Sequence, residues 1–282
     1  CVAITDPGSP LMHLAVQRHF LDCLESPPDV GGRFSALTPF AMAPGALLGM
    51  DLAAIVQSAL ALSGQCKAEN TSDNPGLALG SWLAEQCLAG RDCLQLCIDE
   101  QYRSFGTWVE QLIAESTGKE GKGMLPLDGA DASAPGSRVA RVILGAGTNE
   151  TFWQRYPEAD DDRIPTWRIT LEKETDLGGE FFRWCFAVAI AGSVMQLNPF
   201  DEPDVAATKA ATRQLLDGEG ALESGAPLTP QGMGASLASA GQGAYLAILT
   251  YLPDEPALFD VLEEFATAVR EHFDLPVTLN PG

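Results

Sequence analysis

Residues 93–114 read CLQLCIDEQYRSFGTWVEQLIA, and the two ends of this stretch carry different periods. Cys93 to Ile98 is a short apolar run of strand length. From 104 to 114 the large apolar residues Phe105, Trp108, Val109, Leu112 and Ile113 recur at helical spacing and mark one buried stripe. A strand followed at once by an amphipathic helix is the repeating unit of a layered α/β fold with a parallel sheet.

Working outward, the same alternation continues. Residues 1–6 read as a buried strand, and the turn 6–10 leads into a helical pattern over 11–24. Ser26-Pro27-Pro28-Asp29 breaks that pattern, and Ala/Leu-rich helices follow at 38–48 and 51–62. Asn70-Thr71-Ser72-Asp73-Asn74-Pro75-Gly76 carries the strongest linker signal, before a helix over 77–89. Past the central unit, 128–138 is a Gly/Ala/Ser/Asp loop, 139–144 a β-branched strand and 158–162 an acidic loop. A strand at 167–171 precedes a long helix over 177–197, capped by Asp176. Another helix ends at 216, and 218–243 reads as a Gly-rich loop. An apolar strand at 244–251, a helix at 256–273 and a short strand at 277–279 complete the chain. These readings predict an α/β protein of two units, residues 1–72 and 73–282.

The formal charge of −21 repels nucleic acid and anionic membranes, so neither is an expected partner. It also repels small anions at long range, which leaves any anion binding to local cations or backbone N–H groups. No segment has the uninterrupted apolar length of a membrane span. The seven cysteines are odd in number and include no Cys-x-x-Cys pair; Cys87, Cys93 and Cys97 lie in an apolar stretch and read as small buried hydrophobes of a reduced, cytoplasmic protein. With three histidines, none near a cysteine pair, no metal site is expected, and no dinucleotide or Walker fingerprint calls for a cofactor.

Three segments carry the chemistry. In Gln111-Leu112-Ile113-Ala114-Glu115-Ser116-Thr117-Gly118-Lys119-Glu120-Gly121-Lys122-Gly123, one carboxylate ends an apolar helical pattern and a cationic, Gly-rich turn follows. Such a carboxylate is placed to act as a general base beside an anionic substrate, although a capped surface helix end reads the same way. Gln111 lies one turn before Glu115, on the same face. Asp29-Val30-Gly31-Gly32-Arg33-Phe34-Ser35 sets a guanidinium after two glycines, where backbone can approach a ligand closely. Leu197-Asn198-Pro199-Phe200-Asp201-Glu202-Pro203-Asp204-Val205 opens a helix that carries Lys209.

In this order the three segments resemble phosphoglucose isomerase, most closely the isomerase half of bifunctional transaldolase/phosphoglucose isomerases. The resemblance runs through nearly the whole chain. It implies two sugar-isomerase domains, each a parallel sheet flanked by helices. It also implies a glycolytic and gluconeogenic activity, the interconversion of glucose 6-phosphate and fructose 6-phosphate through an enediolate, without metal or cofactor. Glu115, Arg33 and Lys209 match the catalytic positions, and Gly32, Gln111, Thr117, Gly118, Lys119 and Glu202 the substrate-binding ones. The implied partners are a sugar phosphate and either a second copy of the chain or a fused transaldolase domain.

The chain also departs from the family pattern. Glu202 stands where the family carries glutamine. The Gly147-Thr148-Asn149 motif is followed by Glu150, Thr151 and Phe152 rather than by a ring-opening histidine, which leaves Glu180 as a weak alternative acid/base. The Ser/Thr-rich phosphate loop and the final helix of the family are not in the sequence, so the first domain is expected to be incomplete. These departures leave room for mannose 6-phosphate as substrate, or for a regulator that binds phosphosugars without reacting.

Overall fold

The computed structural model describes residues 1–128, 136–157, 164–218, 229–241, 243–251 and 256–281. At its centre is a parallel sheet of four strands, β3 (Cys93–Ile98), β4 (Leu125–Asp128), β5 (Val139–Ala146) and β6 (Thr166–Leu171), in the order β4-β3-β5-β6. Two smaller parallel pairs flank it in sequence, β1 (Val2–Thr5) with β2 (Asp22–Glu25) and β7 (Leu246–Thr250) with β8 (Val277–Pro281). The helices are α1 (Pro10–Gln17), α2 (Pro39–Leu47), α3 (Leu52–Gln65), α4 (Pro75–Leu88), α5 (Arg103–Thr117), α6 (Glu150–Gln154), α7 (Leu177–Met195), α8 (Pro203–Leu216), α9 (Pro230–Ala238) and α10 (Pro256–Phe273). The expected parallel α/β architecture is therefore present.

The central sheet is buried on both faces, as crossover helices require. On β3, Leu94 and Leu96 face the main core of Leu79, Leu83, Leu112 and Trp184, while Cys93 and Cys97 face the opposite layer. All seven cysteines are free thiols; of the three expected to be buried, Cys93 and Cys97 are, and Cys87 is half-buried. Helix α7 crosses the core between α3, α4 and α5, and glycines set its contact distances. A β-carbon on Gly178 would collide with Ile55 O of α3. The helical segment Glu174–Met195 is long and apolar enough to cross a membrane, and it is this core helix.

The 70–76 segment is tightly tied. Asn74 caps α4 by accepting from Leu77 N at 2.8 Å, and its amide donates to Cys66 O and Ala68 O at 2.9 Å. That joins the end of α3 to the start of α4. Helix α3, which precedes the expected boundary near 72, packs against α7, which follows it.

Several expectations are corrected. The helical pattern at 11–24 stops at Gln17, and His19 takes a left-handed φ of 52°. Residues 22–25 then form β2, because β1 offers a parallel partner in register. Strand β4 was hidden by Pro126. It lies at an edge of the central sheet, where a residue without an N–H is tolerated. The 218–243 region contains α9, capped by Thr229. Asp176 does not cap α7 with its side chain. It accepts from Glu172 N and Lys173 N instead. The acidic loop at 158–162 and most of the loop at 128–138 lie outside the described residues.

Candidate active site

Glu115 sits in the last turn of α5, whose opposite face fills the core with Val109, Leu112 and Ile113. Gln111, one turn back, donates to Glu115 Oε2 at 3.4 Å. The side chain of Arg33 is only 1% exposed, and its Nη1 lies 2.8 Å from Glu115 Oε1. Residues 82 apart in sequence are thus joined by a largely buried ion pair.

The Arg33 side chain is held from several sides. It starts from a 3-10 turn, Gly32–Leu37, and Trp108 Nε1 of α5 donates to the Arg33 carbonyl at 3.0 Å. Its Nη2 donates to Pro199 O at 3.1 Å and Asp201 O at 2.9 Å, two carbonyls of the turn between α7 and α8. The Phe34 and Phe200 rings pack at a tilt, with centroids 5.3 Å apart. Nη1 also approaches Glu202 Oε1 at 3.5 Å. The planar fork therefore spends one arm on backbone and turns the other toward two carboxylates.

The same turn is clamped a second time. Lys119 Nζ donates to Asn198 O at 2.8 Å, to Asp201 O at 2.9 Å and to Asp201 Oδ1 at 2.6 Å. An ammonium has three donors, and all three are used. The hydrogen bond from Lys119 holds the Asp201 carboxyl below the usual carboxylate range. Lys122 reaches Met195 O and Gln196 O at the end of α7, as cations do at helix C-termini. Gly123 makes this loop possible, since its φ is +97° and a β-carbon would strike Thr117 O.

The structure gathers Arg33, Gln111, Glu115 and Glu202 at one place, with Gly32 exposed beside them. The Lys119 and Thr117 side chains, expected to bind substrate, are bonded within the protein. Lys119 is buried in the clamp. The Thr117 hydroxyl is also buried, donating to Ile113 O at 2.8 Å and accepting from Met124 N at 3.1 Å. Gly118 is exposed, and its N–H ends α5 on Ala114 O. Lys209 is not brought to the group. It is exposed on α8, about 10 Å along the helix from Glu202. Asn149 caps α6 and donates to Asp99 Oδ2 at 2.9 Å, beyond the carboxyl end of β3. Glu115 lies at the far end of α5 from there, roughly 18 Å along that helix. Glu180 is buried and paired with Arg183 at 3.2 Å, and burial pushes its carboxyl up to about 7.

Sequence reading missed the clamping role of Asp201 and the Trp108 bond to Arg33. A trace was present in both cases: the acid inside the Asn198–Glu202 segment and an indole on the inward stripe of α5.

No family model matches the chain. Curated relatives do. The chain is 26% identical over 256 residues to a probable glucose-6-phosphate isomerase of Methanococcus maripaludis, covering 77% of this chain and 58% of that protein. It is 33% identical over 187 residues to the corresponding probable isomerase of Haloarcula marismortui, covering 63% of this chain and 41% of that protein. The chain is related to glucose-6-phosphate isomerases. It is also 28% identical over 181 residues to the glucose-6-phosphate isomerase of Methanocaldococcus jannaschii, again spanning 41% of the relative. The chain thus spans between 41% and 58% of the length of these relatives.

Solved structures agree on the fold. A hypothetical protein from Thermus thermophilus superposes with a TM-score of 0.65 at 21% identity, over 76% of this chain and 62% of that one. A glucose-6-phosphate isomerase from Chlamydia trachomatis gives 0.61 at 16% identity, over 93% of this chain and 56% of that one.

Proposed function

We propose that the chain carries a catalytic portion of an aldose–ketose isomerase acting on glucose 6-phosphate and fructose 6-phosphate. The observation that carries this reading is the Arg33–Glu115 pair with Gln111 alongside, in a chain related to glucose-6-phosphate isomerases. In this reading Glu115 moves the proton between C2 and C1. Arg33, whose orientation the Pro199 and Asp201 carbonyls fix, stabilises the enediolate oxygen as charge develops there. Gln111 orients the carboxylate or the sugar. Lys209 joins the site only if α8 is held over it, by a second copy of the chain or by a fused transaldolase domain. The setting is cytoplasmic carbohydrate metabolism. A regulator that only binds phosphosugars has no need of a carboxylate poised against a guanidinium, which favours the enzyme reading.

The test is isomerisation by the chain, coupled to fructose 6-phosphate detection, together with deuterium uptake from solvent at C2. Glu115→Gln keeps the shape but cannot accept a proton, so exchange is expected to fall by at least ~10²-fold. Exchange persisting above a tenth of wild type removes Glu115 as the base. Binding of glucose 6-phosphate with no exchange in the wild-type chain establishes the regulator instead.

A further inference from the structure

We propose that Glu202 is a second acid/base of this site, the group that opens the sugar ring, while Glu115 serves the carbon. The inference rests on the isomerase reading above. Hexose phosphates exist in water chiefly as rings, and the C2 proton can be moved only in the open chain. Proton transfers at oxygen and at carbon of one bound sugar call for two differently placed groups.

Three observations single out Glu202. Its Oε1 lies 3.5 Å from the same Arg33 Nη1 that Glu115 Oε1 contacts at 2.8 Å, so one guanidinium nitrogen separates two carboxylates. Next, Glu202 is the N-cap residue of α8, where a carboxylate oxygen ordinarily accepts a helix N–H. It makes no such bond, and its side chain turns toward Arg33 instead. Finally, its side chain is 33% exposed, whereas Arg33 beneath it is 1% exposed, so a sugar can reach the carboxylate from solvent. A β-carbon on Gly31 would lie 3.7 Å from Glu202 Oε1, and the glycine leaves that flank open.

Asp201, Lys119 and Glu180 are committed to other partners. Asp201 is bound to Lys119, and the Lys119 donors are all used. Glu180 is buried on Arg183. His13 lies in α1 and His19 just after it, and His272 lies at the end of α10 against Phe273.

The step balances within the carboxylate. One Glu202 oxygen takes the proton of the anomeric hydroxyl, and the C1–O1 pair becomes the carbonyl. The bond from C1 to the ring oxygen breaks, and the proton passes to that oxygen. Glu202 ends as it began, and Glu115 then takes the proton from C2.

The experiment uses the full chain and two assays. Catalysed anomerisation of glucose 6-phosphate, read by exchange NMR, needs ring opening alone. Deuterium uptake at C2 of erythrose 4-phosphate, which cannot close a ring onto its phosphorylated O4, needs the carbon base alone. Glu202→Gln is expected to lower anomerisation at least tenfold more than it lowers erythrose 4-phosphate exchange. Glu115→Gln is expected to shift the ratio the other way. Should circular dichroism show that Glu202→Gln is misfolded, Glu202→Asp, which keeps the carboxylate but draws it back, is expected to give a smaller shift in the same direction. Equal losses in both assays mean that Glu202 only supports Arg33, and the inference fails while the isomerase reading stands. Unchanged anomerisation has the same consequence. A wild-type chain inactive in both assays overturns this inference and the isomerase reading together.

Discussion

Arg33 and Lys209 are both basic residues in motif segments of the same kind, yet they stand in opposite surroundings. Arg33 leaves a short 3-10 turn and meets α5, the α7–α8 turn and two carboxylates, with almost no exposure. Lys209 rides on α8, a helix of 14 residues with none buried among those described. What fixes a side chain is the number of independent elements converging on it. Around Arg33 three segments distant in sequence converge; among the described residues, α8 buries none of its side chains, Lys209 included.

The comparison can be broken most directly at Arg33. Arg33→Lys keeps the charge but cannot hold Pro199 O, Asp201 O and Glu115 together. A fall in kcat of about 10²-fold is expected, with a smaller change in KM, as for a donor that acts in the transition state. Near-normal kcat would move Arg33 out of the site.

The core beneath it gives the next effect. Gly178→Ala drives a methyl group into Ile55 O where α7 crosses α3. A loss of about 3 kcal/mol is expected from this overpacking, read as a lower denaturant midpoint. A midpoint equal to wild type would mean that the crossing is loose.

A third effect depends on pH. Burial raises the Glu180 carboxyl to about 7 from an ordinary 4.5, so the folded state holds this proton more tightly than the unfolded chain does. Its contribution is therefore fully favourable below the unfolded value and is lost as pH rises toward 7. About 2 kcal/mol should disappear between pH 5 and 7, and Glu180→Gln should flatten that part of the profile. Equal slopes in the two proteins would place Glu180 in contact with water.

The smallest effect belongs to α8. Ala210→Gly on this exposed helix is expected to cost no more than about 1 kcal/mol, the intrinsic helix penalty alone. A substantially larger cost would show that α8 packs on a partner surface, and Lys209 would then have the converging neighbours it lacks here.

The elements legible in the sequence are those with a long, consistent period. Strand β3, helix α10 and the start of α5 fall within a residue or two of their predicted bounds. Asn74 and Pro75 mark the start of α4, although the surrounding polar run reads as a linker. The illegible ones are short or locally contradictory. Strand β2 has four residues with acids at both ends, and β4 carries a proline. Pairing with a neighbour, which no local pattern records, makes them strands.

The sequence by itself determined the alternation of strands and helices, the stripe of α5 that faces the core, and the presence of Glu115, Arg33 and Glu202 in three short segments. Only the tertiary structure decided that Glu115 and Glu202 meet on one guanidinium nitrogen of Arg33, that Lys119 is consumed by the turn between α7 and α8, and that Lys209 lies apart from them. The reason is physical. Periodicity states which face of an element avoids water, and that information is local. Which donor is already occupied depends on carbonyls and carboxylates about 80 to 170 residues away, brought within 3 Å only by the packing of α7 against α3, α4 and α5.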